Sequence, residues 1–227
     1  MKPIEPARDL KDKSDARGSP QSDAPLNPFR PLSPSQKGNL STDGFIPPHG
    51  GYQKLLAYQK ALVVYDATVH FCDRFIDKKS RTHDQMVQAA RSGKQNILEG
   101  SEASATSKET EIKLTNVARA SQKEVLEDYR DFMRNRHIAE WSPDHPYAQR
   151  LRRLNRTPGA NYDTFKKGIE HPDPAIAANV MIGLIKLTNY LLDQQLRQLE
   201  QAFLTEGGLR ERMTRARLAE RAKQNRR

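Results

Sequence analysis

The chain has 227 residues, long enough for one substantial domain plus extensions, and a second large domain is not the default expectation at this length. A hydrophobic fraction of 36% beside 29% charged residues suits a protein that buries part of its length and leaves much of it solvated. The net charge of +10 suits a polyanionic partner, and a single cysteine, Cys72, excludes an intramolecular disulfide.

Residues 1–50 are rich in Pro, Ser, Asp and Gly, with almost no aliphatic runs, so they bury too little surface to offset chain entropy and read as a disordered leader. From Tyr52 the pattern changes. Leu55, Tyr58, Leu62, Tyr65, Val69, Cys72 and Ile76 recur in alternating steps of three and four, the coiled-coil-like seam of a first long helix, with Cys72 inside it as a core residue. Lys78, Lys79, Ser80 and Arg81 form a short polar connection, and a second helix starts near Thr82. Its stripe of Met86, Ala90, Gly93 and Ile97 has small residues at the centre, where two helices approach closely. Gly100 is expected to end it, and Thr106 with Glu109 has the spacing of a capping box for a third helix. Leu114, Ala118, Ser121, Val125, Tyr129 and Phe132 form the inward stripe of that helix, which runs to about Asn135.

Residues 137–172 break any long periodicity with Trp141, four prolines and Gly159, although Tyr147–Leu154 has the character of a short basic helix. Asp173 followed by Pro174 is an N-cap and first-turn proline, and a fourth helix then runs to Gly207 and Gly208. Ile176, Val180, Leu184, Leu187 and Leu191 make one stripe, while Met181, Ile182, Ile185 and Leu192 lie partly outside it. A helix apolar over more than one face has to be covered from more than one side. Self-association meets that need, and so does an insert folded over the outer face; the first is the expectation. No stretch alternates apolar and polar residues as a strand would. The fold class is therefore all-α: an antiparallel up-down-up-down four-helix bundle over residues 51–206 with an insert at 137–172, a disordered N-terminal leader, and a basic C-terminal helical tail at 207–227.

Residues 1–50 hold seven Lys/Arg against six Asp/Glu, and residues 206–227 hold eight against three, so the tail concentrates the excess. The phosphate-binding candidates are Arg150, Arg152, Arg153 and Arg156 in the insert and Arg210, Arg212, Arg215, Arg217, Arg221, Arg226 and Arg227 in the tail. Guanidinium forks can bond two phosphate oxygens and stack on bases. The plainer reading is a solvated helix end, since basic residues also complement the dipole at a helix C-terminus.

His137, His145 and His171 share the insert with Asp144 and Asp173 but match no metal-ligand spacing, so neither a metal nor another cofactor is expected. No Gly-flanked serine, cysteine–base pair or glycine-rich phosphate loop is present, and no catalytic residue is assigned. A tail helix on an anionic membrane would have only Leu209, Met213 and Ala216 to insert. With no apolar run of about eighteen residues and no secretory pattern at the start, the protein is expected to be cytoplasmic, without membrane or small-molecule partners.

Helices two and three carry Gln88, Arg91, Ser92, Asn96, Ile97, Glu99 and Gly100, followed by Lys108, Glu109, Ala118, Arg119, Ser121, Leu126 and Glu127. With Tyr58–Ala61 in the first helix, this pattern resembles the bacterial four-helix bundle family of proteins encoded by intervening sequences of 23S rRNA genes. The resemblance covers residues 52–141. It departs from the family at Gly93-Lys94-Gln95, where a proline is usual, and it lacks the basic-aromatic turn after Glu99-Gly100. The same structural group includes the accessory variability proteins of diversity-generating retroelements, basic pentamers that bind nucleic acid and a reverse transcriptase. The resemblance implies the bundle fold, a homo-oligomer with a pentamer as its model, and association with RNA or DNA. Arg91, Asn96 and Glu99 lie within about 140° of one another on the second helix and could form a site. The structural expectation is that Arg91 or Arg119 pairs with Glu99 or Glu127 across the helix interface, with Gln88, Asn96 and Gly100 also structural rather than part of a binding site. A protein–protein scaffold without a nucleic-acid role is the alternative function.

Overall fold

The computed structural model describes residues 51–225. The expected leader, together with Arg226 and Arg227, lies outside the described residues. These residues form helices and no strand: a 3-10 turn at Tyr52–Lys54, then α1 (Leu56–Phe75), α2 (Arg81–Ala103), α3 (Lys108–Arg134), α4 (Pro146–Asn155), α5 (Tyr162–Ile169), α6 (Pro174–Glu206) and α7 (Leu209–Gln224).

The four long helices pack in a ring, α1 on α2, α2 on α3, α3 on α6 and α6 on α1. Individual contacts fix the directions. Cys72 Sγ lies 3.9 Å from Met86 Sδ while Lys94 sits over the Tyr65 ring, so α1 and α2 run oppositely. Ser92 meets Ser121 at 3.0 Å while Gly100 faces Leu114 and Thr115, so α2 and α3 do as well. Across the middle α1 and α3 run the same way. The Tyr129 hydroxyl donates to Thr68 Oγ1 at 3.3 Å, and Phe71 packs edge-on against both Tyr129 and Phe132 with centroids 4.8 Å apart.

The second-helix stripe is buried as expected at Met86, Ala90, Gly93 and Ile97. At Gly93 the approach is closest: a Cβ there would lie 2.3 Å from Gln122 Nε2. Gly100 does not end α2. The helix continues to Ala103, and Gly100 is buried where α3 crosses it. The α3 cap falls one residue later than the Thr106–Glu109 pattern suggests, because Ser107 Oγ accepts the Thr110 N–H at 3.1 Å while the Thr106 hydroxyl donates to Ala103 O. The α1 seam also differs. Of its expected members only Cys72 is buried, Leu62 is exposed, and the buried line runs through Ala57, Ala61, Val64, Thr68 and Phe71. Ala57 and Ala61 on that line let neighbouring helices close in. Cys72 is fully buried, and burial pushes its thiol up to about 12.

The outer face of α6 is covered from within the chain. Leu151 of α4 sits over Gly183, where a Cβ would be 2.4 Å from Leu151 Cδ2, and Val180 lies against Gly168 of α5. Leu151, Phe165 and Ile169 thereby join the same core as α6. Residues 146–169 thus cover the second apolar face of α6, and they include a helix, α5, that the sequence pattern does not predict. By length and mean hydropathy alone, Pro174–Gln224 contains an 18-residue window, at 1.5, that is apolar enough to cross a membrane. Packing takes up most of it, with 67% of the window buried inside the structure.

Gln122 is the anomaly of the core. It is fully buried against Gly93, and neither carboxamide atom has a hydrogen-bond partner among the described residues. An unpaired buried amide costs about 1–3 kcal/mol. Gln122→Met, similar in length and without that penalty, is expected to raise unfolding stability by about that amount in urea titrations. A loss instead would mean that the amide is satisfied in solution.

Candidate nucleic-acid interface

Residues 146–169 carry four arginines and two lysines against one aspartate. Pro146 opens α4 at a position that needs no N–H donor, and His145 Nδ1 accepts the Tyr147 N–H at 3.3 Å. Leu151 anchors the helix on Gly183. At 100° per residue Arg150, Arg152, Arg153 and Arg156 fan over an arc of about 160° centred opposite Leu151. All four are exposed, and none forms an ion pair among the described residues. Lys166 and Lys167 of α5 are exposed beside them in sequence. The approach to α4 is fixed by Asn179 of α6, which accepts the Trp141 N–H at 2.7 Å and donates to Ala139 O at 3.1 Å. Glu140 adds ion pairs to Arg130 of α3 and Lys186 of α6.

The tail arginines divide. Gly207, with φ 73°, turns the chain out of α6, and Glu211 accepts the Gly208 N–H at 2.9 Å to start α7. None of the α7 residues is buried. Arg210, Arg217 and Arg221 fall within about 40° of one another on the helix and form an exposed stripe. Arg212 and Arg215 point elsewhere. Arg212 is half-buried and donates to Ala105 O at 3.0 Å, and Arg215 donates to Glu206 O. The structure does not bring the α4 and α7 arginines together: Gly183 and Gly207 are separated by about 36 Å along α6.

The residues of the α2–α3 pattern do not assemble into one site. Arg91 and Glu99 are exposed, with Glu99 accepting from Gln95, while Asn96 Nδ2 turns back to Ser92 O at 2.8 Å. The expected pairing of Arg91 or Arg119 with Glu99 or Glu127 is replaced. Arg119 reaches Asp193 of α6 at 2.8 Å and Asn116 at 2.7 Å, and Glu127 pairs with Arg130 on its own helix. Both glutamates are exposed, away from the helix interface, which is why neither bridges it. Gln88 lines a cleft of about 760 Å³ with Arg81, Asp84, Ser92, Glu124 and Asp128. Three carboxylates against one guanidinium make this cleft repel phosphate. Burial, then Asp131 and Glu124, push the Asp128 carboxyl up to about 6.

Folding therefore favours protonated Asp128. Its contribution to stability is complete below the ordinary carboxylate pKa of about 4 and is lost as pH rises through about 6. Asp128→Asn is expected to be more stable than the wild type at pH 7, with the gap closing towards pH 4. Urea midpoints across that range measure it, and a gap that does not change with pH would contradict the assignment.

The insert histidines serve the local backbone. His145 caps α4, and His171 Nδ1 accepts the Asp173 N–H at 3.0 Å. Exposed His137 takes the left-handed φ of 55° just beyond α3. Among the described residues no group of three His, Cys, Asp or Glu side chains is placed to hold a metal. No family model matches the chain, and neither the curated proteins nor the solved structures include a match to it.

Proposed function

We propose that this chain is a non-catalytic, cytoplasmic four-helix bundle of up-down-up-down order that self-associates and binds RNA or DNA electrostatically, as an accessory to a nucleic-acid enzyme. The observation that carries this reading is the outer face of α4 and its C-cap: four exposed arginines, without an ion pair among the described residues, fanned opposite Leu151. Elsewhere arginines such as Arg119, Arg130 and Arg134 are engaged by carboxylates. Unpaired guanidinium groups on a rigid support are available to phosphate oxygens at little ordering cost. The stripe of Arg210, Arg217 and Arg221 adds a second, separate contact. The resemblance to the intervening-sequence family supports the same reading, self-association included, while the insert and the tail carry the binding.

A protein scaffold is the second reading. It is favoured by exposed Leu204 at the end of α6 and Leu218 on α7, which are 72% and 59% accessible. The two readings separate in a salt series. Binding of labelled RNA and DNA should fall steeply with salt, and replacing Arg150, Arg152, Arg153 and Arg156 with Gln should lower the log–log slope by about 3 for a single strand, at about 0.7 per phosphate contact. Replacing Arg210, Arg217 and Arg221 should lower it by about 2. Helical content should not change in either variant. Absence of binding at low salt would favour the scaffold.

A further inference from the structure

At the start of α4 stands an aromatic cluster that core packing alone does not account for. Trp141, the only tryptophan in the chain, stacks on His145 with ring centroids 4.8 Å apart and planes 4° from parallel. The Tyr147 ring lies 5.4 Å from Trp141 and 5.6 Å from His145. Trp141 and His145 are half-buried, and Tyr147 is 51% exposed. One edge of the cluster rests on the core beside α6, and Asn179 fixes the Trp141 backbone. Tyr147 is three residues before Arg150, so its ring borders the arginine face at an angle of about 60° on the helix wheel.

A ring cluster held in place with one exposed member, Tyr147, and two half-buried ones leaves apolar surface in water and loses little freedom when another flat ring joins it. Beside unpaired guanidinium groups, a chemically matched occupant presents flat π-faces and phosphates on one chain. A single-stranded nucleic acid does so, whereas a duplex hides its base faces inside the stack. An acidic protein segment would satisfy the arginines but gives the rings no reason to be ordered and exposed at the same edge.

We propose that Trp141, His145 and Tyr147 form a base-stacking platform continuous with the arginine face of α4, so that the nucleic acid is held as a single strand. This inference rests on the nucleic-acid reading above. The full chain is titrated with an RNA strand of about 20 nucleotides, longer than common single-strand site sizes, and with the same strand annealed to its complement. Anisotropy of the label and emission of Trp141 are followed together.

The expected result is tighter binding of the single strand, with quenching of Trp141. Tyr147→Ala should weaken single-strand binding by about five-fold or more, as loss of one stacked base does, and should leave duplex binding unchanged. Tyr147→Phe should retain the wild-type affinity. Equal binding of strand and duplex without quenching, and unaffected by Tyr147→Ala, would overturn the platform and leave the electrostatic reading standing. Failure of the wild type to bind either probe would overturn that reading and the platform with it.

Discussion

Helix α6 imposes the constraint on which the rest of the structure depends. Its buried residues include Ala177, Ala178, Met181, Ile182, Leu184 and Ile185, which point in too many directions for a ring of four helices to cover. One side is taken by α1 and α3, and the other by α4 and α5. Close approach depends on two glycines, Gly183 under Leu151 and Gly168 against Val180. The outer helices are thus held at fixed positions by the same element that completes the core. Charge follows from this placement: with its apolar side committed to α6, α4 has only its basic side to turn outward.

Much of the fold could be read in the sequence where spacing and capping chemistry coincide. The α2 stripe and the Asp173–Pro174 start of α6 are found where expected, with Asp173 Oδ1 accepting the Ala175 N–H at 2.8 Å. On α1 three–four spacing fits more than one face of the helix, so it does not by itself select the inward one. There Leu62 is exposed and Ala61 is fully buried. Gly100 looked like a terminator but makes room for a neighbour, a distinction that depends on α3, distant in sequence. The second insert helix has only eight residues, too short for periodicity to stand out, although Asn161 and Thr164 exchange hydrogen bonds at its start and Tyr162, Phe165 and Ile169 have helical spacing.

The candidate interface was legible as a set of arginines but not as a surface. Composition identifies which segments are basic, whereas only the helix wheels and hydrogen bonds separate Arg210, Arg217 and Arg221 from Arg212 and Arg215, which are tied to backbone carbonyls. The aromatic cluster has no signature in the pattern, since Trp141 lies outside any helix and its backbone is held by Asn179, 38 residues away. The acidic cleft between α2 and α3 confines favourable phosphate contact to other faces of the molecule. A polyanion meeting this protein encounters both signs of charge, so orientation is selected as well as attraction.

Cys72 has a consequence outside recognition. It is the chain's one cysteine, it lies between α1 and α2 against Met86, and its thiol is strongly disfavoured from ionising. A thiolate attacks electrophiles and disulfides, so full burial and disfavoured ionisation together shield this sulfur in the folded state. It becomes reactive only when the helices part. The rate at which it takes up a thiol reagent therefore acts as a clock for opening of the interior, built into the native sequence without an added label.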